Sequence, residues 1–270
     1  MELNEKYAAL REALRAMGSA AVAFSAGVDS TLLLKVAHDE LGDNCLAITV
    51  RSVFCPPRES AEAEAFCARE GIRHIVETVD VLAVPGVKDN PPDRCYLCKS
   101  ALLTRLGQIA RENGMAHLLE GSNMDDLGDY RPGLRAIEEL HVDSPLRAAG
   151  LYKAEIRALS RELGLPTWEK PSYACLASRV AYDEELTEEK LVRVDAAEQY
   201  LSGLGLRQVR VRVHGTLARI EVEPEAIARL AAPETAEAVN DTLRALGFSH
   251  VALDLSGYHT GSMNADLPRE

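Results

Sequence analysis

The sequence predicts an α/β protein: a parallel sheet with helices on both faces, followed by a small α+β domain. Short apolar runs alternate with stretches of helical periodicity through the first 182 residues, which is typical of a parallel sheet. After residue 182 the pattern changes to a helix, a hairpin, further helices and a final strand. We therefore predict domains at 1–182 and 183–256, followed by a polar tail at 257–270.

Each element follows from a local pattern. Buried strands are predicted from apolar runs at 20–24, 45–50, 72–79 and 117–120. Helices are predicted where 3.6-residue periodicity ends at glycine, Asn-Gly or proline: from Tyr7 to about 18, then 31–41, 59–70, 95–112 and 152–163. In the second domain we predict a helix capped by Thr187, a hairpin of 208–214 and 218–222, one or two helices in 224–246, and a strand at 251–255.

The composition excludes several classes of protein. Its 47% hydrophobic and 27% charged residues are ordinary for a globular chain. A net charge of −12 argues against broad nucleic-acid binding, because an acidic surface repels phosphate backbones. No secretory signal and no 18-residue apolar run occur, so we expect a cytoplasmic protein without a membrane partner. The six cysteines should then be reduced.

The loop after the first strand carries a phosphate-binding pattern. Residues 25–30 read Ser-Ala-Gly-Val-Asp-Ser and lead into a helix, whose N-terminal N–H groups attract anions. Gly27 permits close backbone approach, and Asp29 is explained if Mg²⁺ accompanies the phosphates. A simple helix cap is the alternative, but ligands bind at this edge of a parallel sheet. The candidate contacts are Ser25, Gly27, Val28, Asp29 and Ser30.

This loop resembles that of the PP-loop ATP pyrophosphatases, the superfamily of NAD synthetases, GMP synthetases and tRNA-thiolating enzymes. Their loop reads Ser-Gly-Gly-x-Asp-Ser, and Ala26 replaces its first glycine, which requires a negative φ at Ala26. The resemblance implies an adenine nucleotide α-hydrolase-like domain that cleaves ATP between the α- and β-phosphates and adenylates its substrate. A P-loop kinase is disfavoured because no Gly-Lys-Ser/Thr follows.

A second acidic loop follows the strand at 117–120. Its carboxylates suit Mg²⁺ and the ribose or phosphates of ATP, and a solvated loop is the alternative. The segment also resembles the second nucleotide-contacting segment of the NAD synthetase branch. We take its candidate ligands to be Glu120, Ser122 and Asp125.

Three cysteines form a second candidate site. Cys95 and Cys98 share one face at a predicted helix start, and Cys175 lies in a loop flanked by cations, which favour thiolates. A zinc site would need a fourth ligand that no pattern indicates. Three cysteines with one open position fit a 4Fe–4S cluster. Incidental packing is the alternative, which we accept only for Cys45, Cys55 and Cys67.

Further segments extend the resemblance. They are 129–133, 144–146, 153–157, 163–168 and 171–179. Together with the loop at 25–30 they resemble the LarE-type ATP-dependent sulfur transferases, which also carry a small C-terminal domain. The resemblance implies adenylation of a carboxylate of pyridinium-3,5-biscarboxylic acid mononucleotide and then sulfur delivery. The product is a thiocarboxylate for the nickel-pincer nucleotide cofactor.

The same resemblance implies two routes for the sulfur. In one branch, only the cysteine matching Cys175 is present; it gives up its own sulfur and becomes dehydroalanine. Members with all three cysteines are similar to cluster enzymes, in which the open iron carries sulfide. Because this sequence has all three, we favour the cluster route with Cys175 and Asp29 as catalytic residues. The implied cofactors are ATP, Mg²⁺ and the cluster; the implied partners are the mononucleotide, sulfide or a sulfur donor, and further copies of the chain, as in a hexamer.

A basic strand offers a site for the phosphate of the substrate. Arg210 and Arg212 share one face of the strand at 208–214, and arginine forks suit phosphate. A solvated edge strand is the alternative. The resemblance favours phosphate binding by these arginines together with Ser178 and Arg179.

Three other functions compete with this interpretation. A tRNA thiolation enzyme would need a positive surface, against which the charge of −12 argues. A non-catalytic iron–sulfur or nucleotide-sensing protein would form no AMP. An amidating ligase of the NAD synthetase kind would leave Cys175 without a role.

Overall fold

The computed structural model describes residues 2–128, 132–171, 175–259 and 261–263. The strands are β1 (Ala20–Ala23), β2 (Cys45–Arg51), β3 (Arg73–Thr78), β4 (His117–Leu119), β5 (Val209–His214), β6 (Leu217–Val222) and β7 (His250–Leu253). The helices are α1 (Leu3–Met17), α2 (Val28–Leu41), α3 (Pro57–Glu70), α4 (Arg94–Glu112), α5 (Gly133–Glu139), α6 (Pro145–Ala148), α7 (Lys153–Glu162), α8 (Glu188–Gly203), α9 (Pro224–Leu230) and α10 (Pro233–Ala245).

The first compact unit comprises the described residues of 1–80 and 95–172 and contains a four-stranded parallel sheet in the order β3-β2-β1-β4. Side chains alternate across β1. Ala20 and Val22 pack in the core that includes Leu14 of α1, whereas Ala21 packs in the core that includes Leu106 of α4. Both faces of the sheet are therefore covered by helices, and the predicted fold class is confirmed.

The second unit comprises the described residues of 81–94 and 173–270 and contains a three-stranded sheet in the order β5-β6-β7. The predicted hairpin joins β5 and β6 through Gly215, whose φ of +59° suits glycine. β7 then pairs parallel to β6. The predicted cap of α8 is confirmed, because the Thr187 hydroxyl accepts from the N–H of Lys190 at 3.2 Å.

The second unit begins at residue 173 rather than 183. It also includes residues 81–94, which lie far from its main part in the sequence. The N–H of Asp183 donates to the carbonyl of Asn90 at 3.0 Å, and that of Leu186 to the carbonyl of Lys88 at 2.8 Å. These hydrogen bonds join residues 81–94 to the C-terminal part of the chain.

Several helix limits differ from the prediction in ways that affect the site. α2 begins at Val28 rather than Thr31, so Val28, Asp29 and Ser30 form its first turn. The short helices α5 and α6 were not predicted, because four to seven residues are too few for a periodic pattern. No helix in the described ranges is long and apolar enough to cross a membrane.

Candidate active site

The nucleotide loop occupies the carboxyl end of β1. Four residues, Phe24 to Gly27, separate β1 from α2, and the N–H of Thr31 closes the first helical turn on the carbonyl of Gly27 at 2.9 Å. The N–H groups of Val28, Asp29 and Ser30 precede that bond and have no partner within the helix ladder. With the positive end of the helix dipole they form a place where an anion binds favourably.

Ala26 takes a left-handed conformation, which corrects the negative φ expected from sequence. Its φ is +53° and it is buried, with 3% of its surface exposed. The loop must turn sharply between a buried strand and a buried helix, and the ammonium of Lys170 donates to the Ala26 carbonyl at 2.9 Å. The turn thus uses a conformation that glycine adopts without strain and alanine does not.

Two serines connect the ends of the loop. The hydroxyls of Ser25 and Ser30 lie 3.1 Å apart, and the Ser30 hydroxyl also donates to the carbonyl of Gly27 at 3.3 Å. A Cβ placed on Gly27 would meet Ser25 Oγ at 3.4 Å, an ordinary contact, and the φ of Gly27 is −80°. Neither backbone strain nor crowding within the chain therefore requires glycine at this position.

Asp29 is held by residues that sequence reasoning did not select. The amide of Asn123 donates to Asp29 Oδ1 at 3.2 Å, and the ammonium of Lys153 donates to Asp29 Oδ2. Because β4 lies beside β1, its loop packs against the start of α2: a Cβ on Gly121 would lie 3.2 Å from the N of Ser30. Lys153 lies in the segment 153–157, whose resemblance to the family could have marked Lys153 as a site residue.

The acidic loop after β4 is internally hydrogen-bonded. Glu120 is buried; its carboxylate accepts from the Ser122 N–H at 3.0 Å, the Ser122 hydroxyl at 2.7 Å and the Ser144 hydroxyl, and Lys99 Nζ lies 3.4 Å away. Asp125 accepts from the Lys153 N–H at 2.6 Å. The two carboxylates therefore fix the loop against its neighbours. Among the residues that the structure describes, no group of three or more His, Cys, Asp or Glu is arranged to hold a metal ion.

A cleft of about 150 Å³ opens beside the loop, between the carboxyl ends of β1 and β2. Its lining is mostly apolar and comprises Ala23, Phe24, Ser25, Ile48, Thr49, Val50, Cys55, Glu59, Ser60 and Leu106. The Thr49 hydroxyl donates to the Phe24 carbonyl at 2.8 Å, so His74 Nε2, also 2.8 Å away, is the donor to Thr49. Burial lowers the pKa of His74 and keeps its imidazole neutral.

The three candidate cysteines lie in different settings. Cys95 is exposed and Cys98 half-buried in the first turns of α4, and both belong to the first unit. Cys175 belongs to the second unit and is exposed. By contrast, burial raises the pKa of the Cys45 and Cys67 thiols to about 12, which makes them inert.

The backbone of Cys175 is held by its C-terminal neighbours. Its carbonyl accepts from the Ser178 N–H at 3.0 Å, from the Ser178 hydroxyl at 2.7 Å and from Arg179 Nη1 at 3.2 Å. The turn continues as a short 3-10 helix, Leu176–Arg179. Two residues predicted to bind substrate phosphate thus also fix the main chain of the cysteine.

Two of the predicted arginines are paired with buried carboxylates. Arg179 donates to both oxygens of Glu198 at 2.9 and 3.1 Å. Arg212 donates to Glu221 at 2.9 and 3.1 Å, and its remaining nitrogen donates to the Ser178 carbonyl at 3.0 Å. Such forks hold a guanidinium in one orientation.

Arg210 is buried but has a different environment. It is 4% exposed, donates to the Val209 carbonyl at 2.8 Å and lies over the ring of Tyr258. Burial, and after it the positive charge of Arg179, lower the pKa of Arg210 to about 10. Arg212 is also buried, at 5% exposure. The solvated edge weighed as an alternative for this strand is therefore excluded.

Comparison with known proteins gives whole-chain relatives, although no family model matches the sequence. The chain is 43% identical to an uncharacterized protein of Synechocystis sp., covering 99% of this chain and 100% of that protein. It is 40% identical to the pyridinium-3,5-bisthiocarboxylic acid mononucleotide synthase of Lactiplantibacillus plantarum, covering 99% and 96%. Over 64% of its length it is 31% identical to a component of the glutamine-hydrolyzing GMP synthase of Thermoplasma volcanium, covering 60% of that component.

Proposed function

The chain belongs to the family of the LarE-type ATP-dependent sulfur transferases, and on this premise we propose that it converts pyridinium-3,5-biscarboxylic acid mononucleotide into its thiocarboxylate form. The observation that carries the proposal is the anion-binding turn at the start of α2, which lies at the carboxyl end of β1 with Asp29 in its first turn. A turn of this kind binds the phosphates of a nucleotide through main-chain N–H groups.

The first proposed step is adenylation. A carboxylate oxygen of the substrate attacks the α-phosphorus of ATP, the bond to the β-phosphate oxygen breaks, and pyrophosphate leaves. The N–H groups of Val28, Asp29 and Ser30 orient the phosphates, and the hydroxyls of Ser25 and Ser30 add donors. The apolar cleft between β1 and β2 has the size and lining to take the adenine ring.

Magnesium fits the same end of the site. Asp29 presents a partly exposed carboxylate that already attracts the cation of Lys153. It would hold Mg²⁺, which supplies positive charge to the phosphates of ATP. Glu120 and Ser122 would act by fixing the adjacent loop, since their polar groups already bond to each other, and Asp125 by holding the start of α7.

The substrate phosphate is proposed to bind in the second unit. Arg179 and Arg212 have carboxylate partners, so they serve mainly to fix Ser178 and the surrounding main chain. Arg210 shares the predicted basic face of the strand with Arg212, and a phosphate would add a negative charge beside this buried cation. We therefore propose that Arg210 also binds the phosphate.

The second proposed step is sulfur delivery. Sulfide attacks the acyl carbon of the adenylate, the carbon–oxygen bond to AMP breaks, and AMP leaves with the bonding electrons. The thiols of Cys95, Cys98 and Cys175 have the donor chemistry of a 4Fe–4S site, and the exposure of Cys95 and Cys175 suits ligation. When bound, the cluster would supply an open iron that carries the sulfide.

One internal hydrogen bond of the second unit supports this assignment. Arg94, the residue before Cys95, donates to the carbonyl of Ala177, two residues after Cys175, at 3.0 Å. The residue before Cys95 is thereby bonded to the turn that follows Cys175. A cytoplasmic location, in which the thiols stay reduced, and assembly of several identical chains are part of the same proposal.

The proposal is tested by separating its two steps. Wild-type protein with ATP, Mg²⁺, the mononucleotide and sulfide should release AMP and pyrophosphate in equal amounts. Cys175→Ala should still form the adenylate, measured as exchange of labelled pyrophosphate into ATP, while forming no thiocarboxylate. Cys67→Ala, at a buried thiol, is the matched control and should retain both steps. Release of ADP, or no release of AMP by wild type, would refute adenylation.

A further inference from the structure

We infer that Asn90 and Arg94 are positioning residues for Cys175, which together fix the main chain that follows the cysteine. The inference rests on the proposed function, in which Cys175 takes part in sulfur transfer. All of the contacts that carry it lie within the second unit.

Asn90 is fully buried and uses its side chain to bind main chain after the cysteine. Its φ is +55°, a left-handed conformation that asparagine tolerates better than most residues. Its Nδ2 donates to the carbonyl of Val180 at 3.2 Å and to that of Ala181 at 2.7 Å. Its own carbonyl accepts from the N–H of Asp183 at 3.0 Å. Asn90 therefore fixes three positions on one stretch of chain.

Arg94 extends this anchor toward the cysteine. It is 3% exposed, and its Nη1 donates both to Asn90 Oδ1 and to the carbonyl of Ala177 at 3.0 Å. The amide oxygen of Asn90 thus orients the guanidinium that holds the Ala177 carbonyl. Removing either side chain releases a main-chain bond close to Cys175.

The Cys175 turn shows why such an anchor matters. Ser178 and Arg179 bind the cysteine carbonyl, so the main chain is hydrogen-bonded at 175, 177, 180 and 181. The side chain of Cys175 nevertheless is exposed. This combination of a rigid backbone and an accessible thiol is what a sulfur-transfer step requires, since reacting atoms must be held to within about 0.5 Å.

Two variants of the full chain test the inference. Asn90→Gly keeps the left-handed backbone but removes the amide, and Arg94→Lys keeps the charge but loses the planar guanidinium that bonds to both Asn90 and Ala177. Both should form the adenylate at the wild-type rate, measured as exchange of labelled pyrophosphate into ATP, because the nucleotide loop lies in the first unit. Both should form thiocarboxylate about 10- to 100-fold more slowly. Arg94→Ala should be slower than Arg94→Lys, since lysine still offers one donor to the Ala177 carbonyl.

A second readout reports on Cys175 directly. The rate at which iodoacetamide alkylates Cys175, followed by peptide mass spectrometry, should change severalfold in both variants. Arg193→Lys is the matched control, because Arg193 also donates to a main-chain carbonyl of this unit, that of Gly247 at 3.1 Å. It should leave the alkylation rate and the transfer rate unchanged.

The outcomes distinguish the inference from the proposed function. Wild-type transfer and alkylation rates in Asn90→Gly and Arg94→Lys would overturn the positioning role. Loss of pyrophosphate exchange in these variants, together with loss of the circular dichroism of the folded chain, would also overturn it. If wild type itself forms no thiocarboxylate, the proposed function fails. The alkylation rates would then still decide whether Asn90 and Arg94 position the cysteine.

Discussion

Asp29 is the residue on which the account of nucleotide chemistry depends most. It lies in the first turn of α2 between a cation, Lys153, and an amide, Asn123. These partners hold the carboxylate in place before any ligand arrives, so its orientation is set by the fold. Preorganisation of this kind lowers the reorganisation that a reaction step would otherwise need.

Asp29→Ala should abolish AMP formation, because it removes the group proposed to hold Mg²⁺ and leaves Lys153 without this carboxylate. Discontinuous AMP and pyrophosphate assays at saturating ATP measure the effect. Asp39→Ala is the control: Asp39 lies on the same helix in a surface pair with Lys35 and should leave the rate unchanged. AMP formation by Asp29→Ala at more than a few per cent of the wild-type rate would contradict the assigned role.

Arg210→Gln should raise the KM for the mononucleotide by at least about tenfold, the loss expected for one charge-assisted phosphate contact. The KM for ATP should not change, because ATP is assigned to the first unit. Steady-state kinetics with each substrate varied in turn would show the difference. An equal rise in the KM for ATP and in the KM for the mononucleotide would argue against a specific phosphate contact. Arg229→Gln is the control, because Arg229 is exposed and donates to the Leu204 carbonyl.

At the residue scale, the sequence analysis proposed candidate groups but not the partners that the structure gives them. The motif at 25–30 and the cysteines were selected from local pattern alone. Asn123 and Lys153 were not, because they meet Asp29 across 94 and 124 residues of chain. The sign of φ at Ala26 was also predicted wrongly: alanine disfavours positive φ locally, and the packing of β1 and α2 overrides that preference.

At the scale of elements, the loop between β1 and α2 combines a strained residue with an anion site. Ala26→Gly should keep AMP formation and stabilise the protein by about 1 kcal/mol, because glycine adopts the left-handed conformation without a Cβ clash. Ala26→Val should destabilise it by about 2 kcal/mol and weaken ATP binding. Urea unfolding and ATP titration measure both effects. A less stable Ala26→Gly protein would show that the alanine is not strained.

The stability of the folded protein should depend on pH through His74, which bonds to Thr49 in the lining of the cleft. Its pKa is lowered in the folded state by burial, with Glu64 opposing the shift, so the unfolded chain binds a proton first as the pH falls. The stability that neutral His74 contributes is therefore present above its ordinary pKa and lost below it. Between neutral pH and about pH 5.5, the unfolding midpoint should fall less in His74→Gln than in wild type. An equal fall of the unfolding midpoint in His74→Gln and in wild type would contradict this role of His74.

Most elements were predictable because each has a local signal. The strands of the first unit are apolar runs, and helices such as α2 and α3 end at Gly42 and Gly71, both at positive φ. The start of α2 was placed three residues late, since Val28-Asp29-Ser30 carries motif residues rather than helical periodicity. α5 and α6 were missed because they are too short to show a period.

At the scale of the whole molecule, the two units are interleaved along the chain. Residues 81–94 belong with the C-terminal part, although the predicted first domain, 1–182, runs through them. Only tertiary hydrogen bonds, such as that between Asp183 and Asn90, reveal this arrangement. No local signal could have placed the boundary there, whereas the change of pattern near residue 182 was visible in the sequence.

The source of the transferred sulfur depends on all three cysteines, which lie in both units of the molecule. Protein prepared anaerobically should contain about four irons per chain, and Cys95→Ser should lose most of them. Iron and sulfide analysis measures this, with Cys45→Ser, at a buried thiol, as the control. Protein without iron in which Cys175 loses the mass of one sulfur per turnover would instead establish the sacrificial route. There the Cys175 sulfur attacks the adenylate, and its bond to Cβ then breaks with loss of the α-proton.

ATP-dependent sulfur transfer itself is tested most directly by mass spectrometry of the mononucleotide after anaerobic incubation with the protein, ATP, Mg²⁺ and sulfide. We predict a product in which one carboxylate oxygen is replaced by sulfur, formed in step with AMP and absent without ATP. A mononucleotide of unchanged mass, recovered from protein that has consumed ATP, would contradict the account.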